Sequence, residues 1–79
     1  MALATGNQLK AARALVDMDQ EALATAAGVS ANTIRNMEAA KSETVRGNNQ
    51  TVVAVQTALE RAGVEFLNHG RPGVRLREK

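Results

Sequence analysis

Apolar positions follow two different periods along the chain. Between residues 7 and 62 they recur every three or four residues, which is the period of an amphipathic helix. After residue 63 apolar and charged residues alternate over residues 64–66 and 74–77, which is the period of a strand. We therefore predict a mainly α chain with two C-terminal strands joined by a hairpin loop over residues 68–73. The predicted helices cover residues 7–16, 20–27, 31–39 and 49–62.

Capping residues support these helix boundaries. Asp19 and Ser30 precede the second and third helices and have side chains suited to N-caps. Gly28 and Gly63 follow the second and fourth helices, where a residue of left-handed conformation is common. Residues 1–6 are small and show no periodicity, so we expect them to be frayed.

Length and composition restrict the class of protein. With 79 residues the chain is expected to form one domain, with a helical core over residues 7–62 and a strand pair over residues 63–79. There is no cysteine and a single histidine, His69, which we interpret as a residue of the hairpin tip. We expect no enzyme activity, no metal and no other cofactor. No apolar run is long enough for a membrane span and no signal peptide is visible, so we expect a cytoplasmic protein.

Residues 20–37 carry the most informative pattern. Two short helices joined by about three residues can cross at a steep angle only where small residues allow it. Ala24 is small at the expected crossing, and Gly28 can take a positive φ without penalty. This pattern predicts a helix-turn-helix, although an ordinary helical protein can match it by coincidence. The positions that would bury both helices against the first are Leu23, Ala27, Val29, Ile34 and Met37.

The same stretch resembles a known family. Its sequence is similar to the xenobiotic-response-element regulators, which are the Cro and lambdoid-repressor-like domains. The similarity lies in QLKAAR at residues 8–13, DQEALA at 19–24, AGVSANTI at 27–34 and ME at 37–38. It covers about residues 7–62 and implies a four-helix lambda-repressor-like fold. The ending, LERAGVEFL at 59–67 and PGVRLR at 72–77, resembles a small stand-alone bacterial branch in which a strand pair replaces the fifth helix.

The resemblance implies a role for each matching residue. The third helix would enter the major groove of DNA and contact base edges. Arg13 and Glu38 match a pair that joins the first and third helices through a buried salt bridge in related domains. The implied base-reading residues are Ala31, Asn32, Thr33, Arg35 and Asn36. The implied phosphate contacts are Gln20 and Ser30 at helix starts and Lys41, Arg46 and Asn48 in the polar loop over residues 41–49.

Two positions depart from the family's pattern. Ala40 stands where related domains usually have glycine, so the third helix either continues or ends with strain. Ala31 is short and apolar at a position where base-reading residues are often polar. A simpler interpretation also stays open, because the polar face of the third helix and the charged loop can serve solubility alone.

The basic end of the chain allows three interpretations. The formal net charge is +2, and Arg71, Arg75, Arg77 and Lys79 follow residue 66. This end can be a charged strand edge that blocks aggregation, a contact with DNA phosphates, or a strand that pairs with a second copy. We favour the third interpretation, with Phe66, Val74 and Leu76 as the dimerisation residues.

Together these observations predict a regulator that binds double-stranded DNA. We expect a homodimer that reads an inverted repeat with its third helix. The alternative is a module that keeps the fold but binds a protein partner, either another regulator or RNA polymerase. The exposed face of the third helix is polar and cationic and has no leucine or aromatic anchor, which favours DNA.

Overall fold

Four helices precede a two-stranded antiparallel sheet. The computed structural model describes residues 3–45, 49–67 and 72–77. In the strand pair Val64 lies opposite Leu76 and Phe66 lies opposite Val74. The predicted order of four helices and a C-terminal hairpin is therefore confirmed. The elements are α1 (Gly6–Leu15), α2 (Gln20–Ala27), α3 (Ala31–Glu38), α4 (Asn49–Arg61), β1 (Val64–Leu67) and β2 (Gly73–Leu76).

The helix boundaries agree with the prediction to within one residue. The second helix coincides with it, and the third and fourth helices each end one residue early, at Glu38 and Arg61. Gly73, predicted to lie in the hairpin loop, begins β2. Of the predicted loops, residues 46–48 and 68–71, which include His69, lie outside the described residues.

The predicted N-caps are present. Asp19 accepts a hydrogen bond from the backbone N–H of Ala22 at 2.7 Å, and Ser30 accepts one from the backbone N–H of Thr33 at 3.1 Å. Each cap satisfies a helix-start donor that has no partner within its helix, which fixes where α2 and α3 begin.

Every element except β2 contributes a fully buried side chain to the core, and β2 packs the half-buried Val74 against it. Of the five positions predicted to bury α2 and α3, Leu23, Ile34 and Met37 are buried, whereas Ala27 and Val29 are half-buried and pack against the core.

The helical period of three or four residues also predicts Leu15 and Ala62 on the apolar faces of the first and fourth helices, but both are exposed. Leu15 is 37% exposed because it lies six residues after Leu9, which turns it about 120° away from the buried side of α1. Ala62 is exposed because it follows the last residue of α4, in the turn before the first strand.

Residues 3–8, which we call the N-terminal strap, are firmly held. The expectation that residues 1–6 are frayed is wrong for residues 3–6. Leu3 is 1% exposed within the core, and its backbone N–H donates to Gln56 Oε1 at 3.2 Å. The N–H of Val45 donates to the carbonyl of Ala4 at 2.8 Å. Hydrogen bonds to α4 and to the segment after α3 take the place of the hydrogen bonds to water that the backbone of a frayed end would make.

Two glutamine–threonine contacts explain why α1 starts at Gly6. Thr5 accepts from the backbone N–H of Gln8 at 3.1 Å, and Gln8 Oε1 accepts from the N–H of Thr5 at 3.3 Å. This reciprocal pair is a capping box. Gln8 also donates from Nε2 to the carbonyl of Gly73 at 3.0 Å, so the same buried side chain ties α1 to the hairpin.

Within the described residues, no helix is long and apolar enough to cross a membrane.

Candidate nucleic-acid interface

A tight turn sets the angle between α2 and α3. Gly28 follows α2 with φ 73° and ψ 30°, the left-handed conformation that glycine adopts without steric cost. The next residue, Val29, donates its backbone N–H to the carbonyl of Ala24 at 3.0 Å. The side chain of Ala24 is buried. A larger residue there would push the helices apart, so this small side chain keeps α3 close to α2.

Helix α3 has one buried side and one polar side. Ile34 and Met37 are inserted into the core and hold the helix in place. Asn32, Arg35 and Asn36 are exposed, and spacings of three and four residues put them on one face. Arg35 Nη1 donates to Asn32 Oδ1 at 3.2 Å. We call these three residues the reading face.

The other two predicted base-reading residues are less exposed than this face. Ala31 is half-buried and packs against the core. Thr33 is half-buried as well, and its hydroxyl lies 2.9 Å from the hydroxyl of Ser30. Both side chains border the exposed stripe, because Ala31 lies four residues before Arg35 and Thr33 lies three residues before Asn36.

The predicted phosphate contacts lie around the ends of α2 and α3. Gln20, the first residue of α2, is half-buried and donates from Nε2 to Glu38 Oε1 at 3.2 Å. Ser30 and Lys41 are exposed, before and after α3. Arg46 and Asn48, the two others predicted, lie outside the described residues.

Arg13 and Glu38 form the predicted ion pair between α1 and α3. Arg13 Nε lies 2.5 Å from Glu38 Oε2, and Nη2 lies 2.9 Å from Oε1, so the contact is bidentate. The third nitrogen, Nη1, donates to the carbonyl of Met18 at 2.9 Å. The side chains are 16% and 8% exposed. Hydrogen bonding to Glu38 is the main reason that the pKa of Arg13 lies above its ordinary value, while burial acts against this increase.

The end of α3 resolves the question raised by Ala40. The helix stops at Glu38, and the left-handed residue that follows is Lys41, with φ 52°. A left-handed conformation costs about 1–2 kcal/mol for a residue other than glycine. The strap offsets this cost, because the backbone N–H of Asn7 donates to the carbonyl of Lys41 at 2.8 Å. The third helix therefore ends and does not continue through Ala40. The residue that carries the backbone strain is Lys41.

Comparison with known proteins identifies this region. Residues 9–44 match the family model described as Helix-turn-helix. The match begins in α1, contains α2, the turn and α3, and covers a little under half of the chain. This part of the chain is a helix-turn-helix domain of the xenobiotic-response-element, Cro-like family. The prediction made from residues 20–37 is thus confirmed, and coincidence in an ordinary helical protein is excluded. No curated protein matches the chain.

The helix-turn-helix assignment gives the broad function. The family comprises DNA-binding transcription regulators, and its activity is regulatory and not enzymatic. Among the described residues, no group of three or more His, Asp or Glu side chains is placed to hold a metal ion.

The hairpin lies outside the helix-turn-helix match. Phe66 and Val74 are half-buried and pack against the core, whereas Leu76 is 53% exposed. On the opposite side of the sheet Arg75 pairs with Glu65. Of the three predicted dimerisation residues, Leu76 alone is mostly exposed, because the other two already cover the molecule's own core.

Sequence reasoning missed Gly6 and Gln8. A β-carbon on Gly6 would lie 2.6 Å from the carbonyl oxygen of Met37 and 2.7 Å from the backbone nitrogen of Lys41. Gly6 therefore permits the start of α1 to lie against the end of α3. The spacing of Thr5 and Gln8 is a capping-box signal that was visible in the sequence. No local sequence pattern marks Gly6, because the residues that lie against it in space are more than thirty positions away in the sequence.

Proposed function

We propose that this domain reads a specific sequence of double-stranded DNA with α3 in the major groove. The reading face of Asn32, Arg35 and Asn36 carries this proposal. Asparagine can pair with adenine through two hydrogen bonds, and arginine can pair with guanine in the same way. The helix that presents them is held by the Ser30 cap and by buried Ile34 and Met37. A rigid support of this kind keeps the donors and acceptors in a fixed register.

Phosphate contacts would fix the register of α3 on the duplex. Lys41 is an exposed cation directly after α3, and Ser30 is an exposed hydroxyl directly before it. Gln20 begins α2, and a glutamine amide has a second proton beyond the one that bonds Glu38. With Arg46 and Asn48, these residues form the proposed phosphate-binding set, which positions the domain without reading sequence.

The proposed active species is a homodimer on an inverted repeat. Leu76 supports it, because this large apolar side chain is 53% exposed at the end of β2. A two-stranded sheet also has outer edges that can pair with a further strand. A dimer that reads successive turns of one face of DNA would have to place its two α3 helices about 34 Å apart.

Selection from a random duplex library tests base reading. We would run the wild type beside the triple variant Asn32→Ala, Arg35→Ala, Asn36→Ala at about 150 mM salt, where non-specific binding is reduced. All three side chains are exposed, so the variant is expected to fold, which circular dichroism checks. A two-fold symmetric motif enriched by the wild type alone supports the proposal, and its half-site spacing reports the geometry of the dimer.

Failure of both proteins to enrich a sequence, with the wild type folded, refutes sequence reading. The alternative of a protein-binding module would then take its place, with the same exposed face of α3 as the surface to test.

A further inference from the structure

A concavity lined by polar and apolar residues adjoins the reading face at the C-terminal end of α3. Its volume is about 580 Å³. Asn36 belongs both to this concavity and to the reading face, so the two surfaces are continuous. Across from α3, the wall is made by the segment that follows the helix and contains Glu43. The lining residues are Asn36, Ala39, Ala40, Glu43, Thr44 and Val45.

The N-terminal strap holds the far wall of this concavity in position. Thr44 forms a β-bridge with Thr5, and the N–H of Val45 donates to Ala4. Within the wall, the backbone N–H of Glu43 donates to the carbonyl of Ala40 at 2.9 Å. Glu43 therefore has a defined backbone position relative to Asn36, as a residue that reads bases requires.

The side chain of Glu43 is exposed and unpaired among the described residues, with no hydrogen bond and no ion pair. An ionised carboxylate only accepts hydrogen bonds. In the concavity that it shares with Asn36, whose amide both donates and accepts, this carboxylate favours groups that donate hydrogen bonds.

We infer that Glu43 is a specificity-determining residue that selects a base with an exposed amino group. The inference rests on the proposed function and extends its reading face beyond α3. In the major groove, cytosine presents the N4 amino group and adenine the N6 amino group, whereas guanine O6 and thymine O4 are acceptors. The Glu43 carboxylate accepts from an amino group and is repelled by an acceptor at the same place. Each half-site then carries cytosine or adenine at the position next to the base that Asn36 reads.

Selection from random duplexes with three proteins tests this inference. The proteins are the wild type, Glu43→Gln and the control Glu21→Gln, which removes the same charge from an exposed position of α2 outside the concavity. Glutamine has nearly the shape of glutamate, but its amide both donates and accepts hydrogen bonds, so it can pair with any of the four bases. We expect Glu43→Gln to lose at least about fivefold of the preference for cytosine or adenine at one half-site position, with the others unchanged. The control keeps the wild-type motif.

Direct titration then measures the same effect on two duplexes. They differ only in that half-site base pair, with cytosine replaced by thymine. The wild type is expected to discriminate between them at least about fivefold more strongly than Glu43→Gln. If Glu43→Gln selects the same motif as the wild type, the inference is overturned. This holds even if the variant binds all sequences more tightly, because a uniform gain in affinity shows only that the carboxylate had been repelled by phosphates. Absence of any wild-type motif overturns the proposed function itself.

Discussion

Gly6 and Met37 are in backbone contact, so the first turn of α1 lies directly on the last turn of α3. A β-carbon on Gly6 would be 2.6 Å from the Met37 carbonyl oxygen and 2.8 Å from that of Glu38. Both neighbours are backbone atoms and cannot swing aside as a flexible side chain does. The absence of a side chain at residue 6 therefore sets how closely α1 approaches the helix that is proposed to read DNA.

Substitution of Gly6 by alanine is predicted to destabilise the fold. The added methyl group overlaps three backbone atoms, and overpacking of this kind costs about 1–3 kcal/mol. Urea denaturation followed by circular dichroism measures the loss. A Gly6→Ala protein as stable as the wild type would mean that α1 and α3 are further apart in solution.

Gly28 provides the matched control, because glycine is favoured there by the backbone angle and not by close packing. A β-carbon there meets nothing within 4 Å, but φ is 73°. Asparagine tolerates the left-handed region better than alanine does. We therefore expect Gly28→Asn to be less destabilising than Gly28→Ala, whereas at Gly6 both substitutions are disruptive. The same denaturation measurements, made on all four variants, test this difference.

Removal of one partner of the Arg13–Glu38 pair is predicted to be costly. Arg13→Ala leaves a carboxylate that is only 8% exposed without its bidentate partner, and we expect a loss of about 3 kcal/mol. Arg13→Lys keeps the charge but not the two parallel hydrogen bonds, so it recovers only part of the loss. A double-mutant cycle with Glu38→Ala measures the coupling directly. A coupling near zero would show that the two side chains contribute independently.

The contribution of Arg13 is predicted to be insensitive to pH near neutrality. Its pKa is raised in the folded state, mainly by the hydrogen bonds to Glu38. A raised pKa gives stability that is complete below the unfolded-state pKa and is lost only as pH rises through the folded-state pKa. For a guanidinium both values are strongly alkaline. The stability difference between wild type and Arg13→Ala should therefore stay constant from neutral to mildly alkaline pH, and a fall over that range contradicts this assignment.

Single substitutions on the reading face are predicted to weaken binding selectively. Asn32→Ala, Arg35→Ala or Asn36→Ala should each cost about 1–3 kcal/mol on the preferred duplex and much less on random DNA. Equal losses on both duplexes would show that these residues contact the DNA backbone.

Lys41→Ala is expected to show the opposite behaviour. It should weaken binding to all sequences alike and reduce the slope of log K against log salt by about one unit. The control is Lys10→Ala, which removes the same charge from an exposed position of α1. Titrations at several salt concentrations compare the two, and identical slopes would remove Lys41 from the phosphate-binding set.

Replacement of Leu76 by aspartate is predicted to separate the proposed dimer. The change puts a charge on a side chain that is 53% exposed, so it leaves the core intact. Light scattering should then report the 8.4 kDa monomer, while Val53→Asp, at a site 48% exposed on α4, retains the wild-type mass. A wild type that stays monomeric at high micromolar concentration contradicts the dimer.

Features with a local cause were predictable from the sequence. Asp19, Gly28 and Ser30 fix the ends of α2 and α3 through hydrogen bonds and backbone angles within a few residues, and all three were identified. The buried side of α3 followed from the 3.6-residue period that joins Ile34 and Met37.

Features that depend on distant contacts were not predictable. Leu3 appears unpatterned because its partners are in α4, and Gly6 appears dispensable because the backbone it accommodates is at residues 37–41. Ala31 and Thr33 belong to the recognition motif, yet only the packing of α3 shows that both are partly covered. Glu43 carries no motif, and its nearness to Asn36 appears only when the chain turns after α3.

The strap also orders events during synthesis. Residues 3–8 leave the ribosome early, but the partner of Leu3 is 53 positions later and that of Gln8 is 65 positions later. Helices α2 and α3 can meet as soon as both are made, because their contacts are close in sequence. The contacts of Leu3 with Gln56 and of Gln8 with Gly73 can form only after residues 56 and 73 have been made, so the strap is completed later than the meeting of α2 and α3.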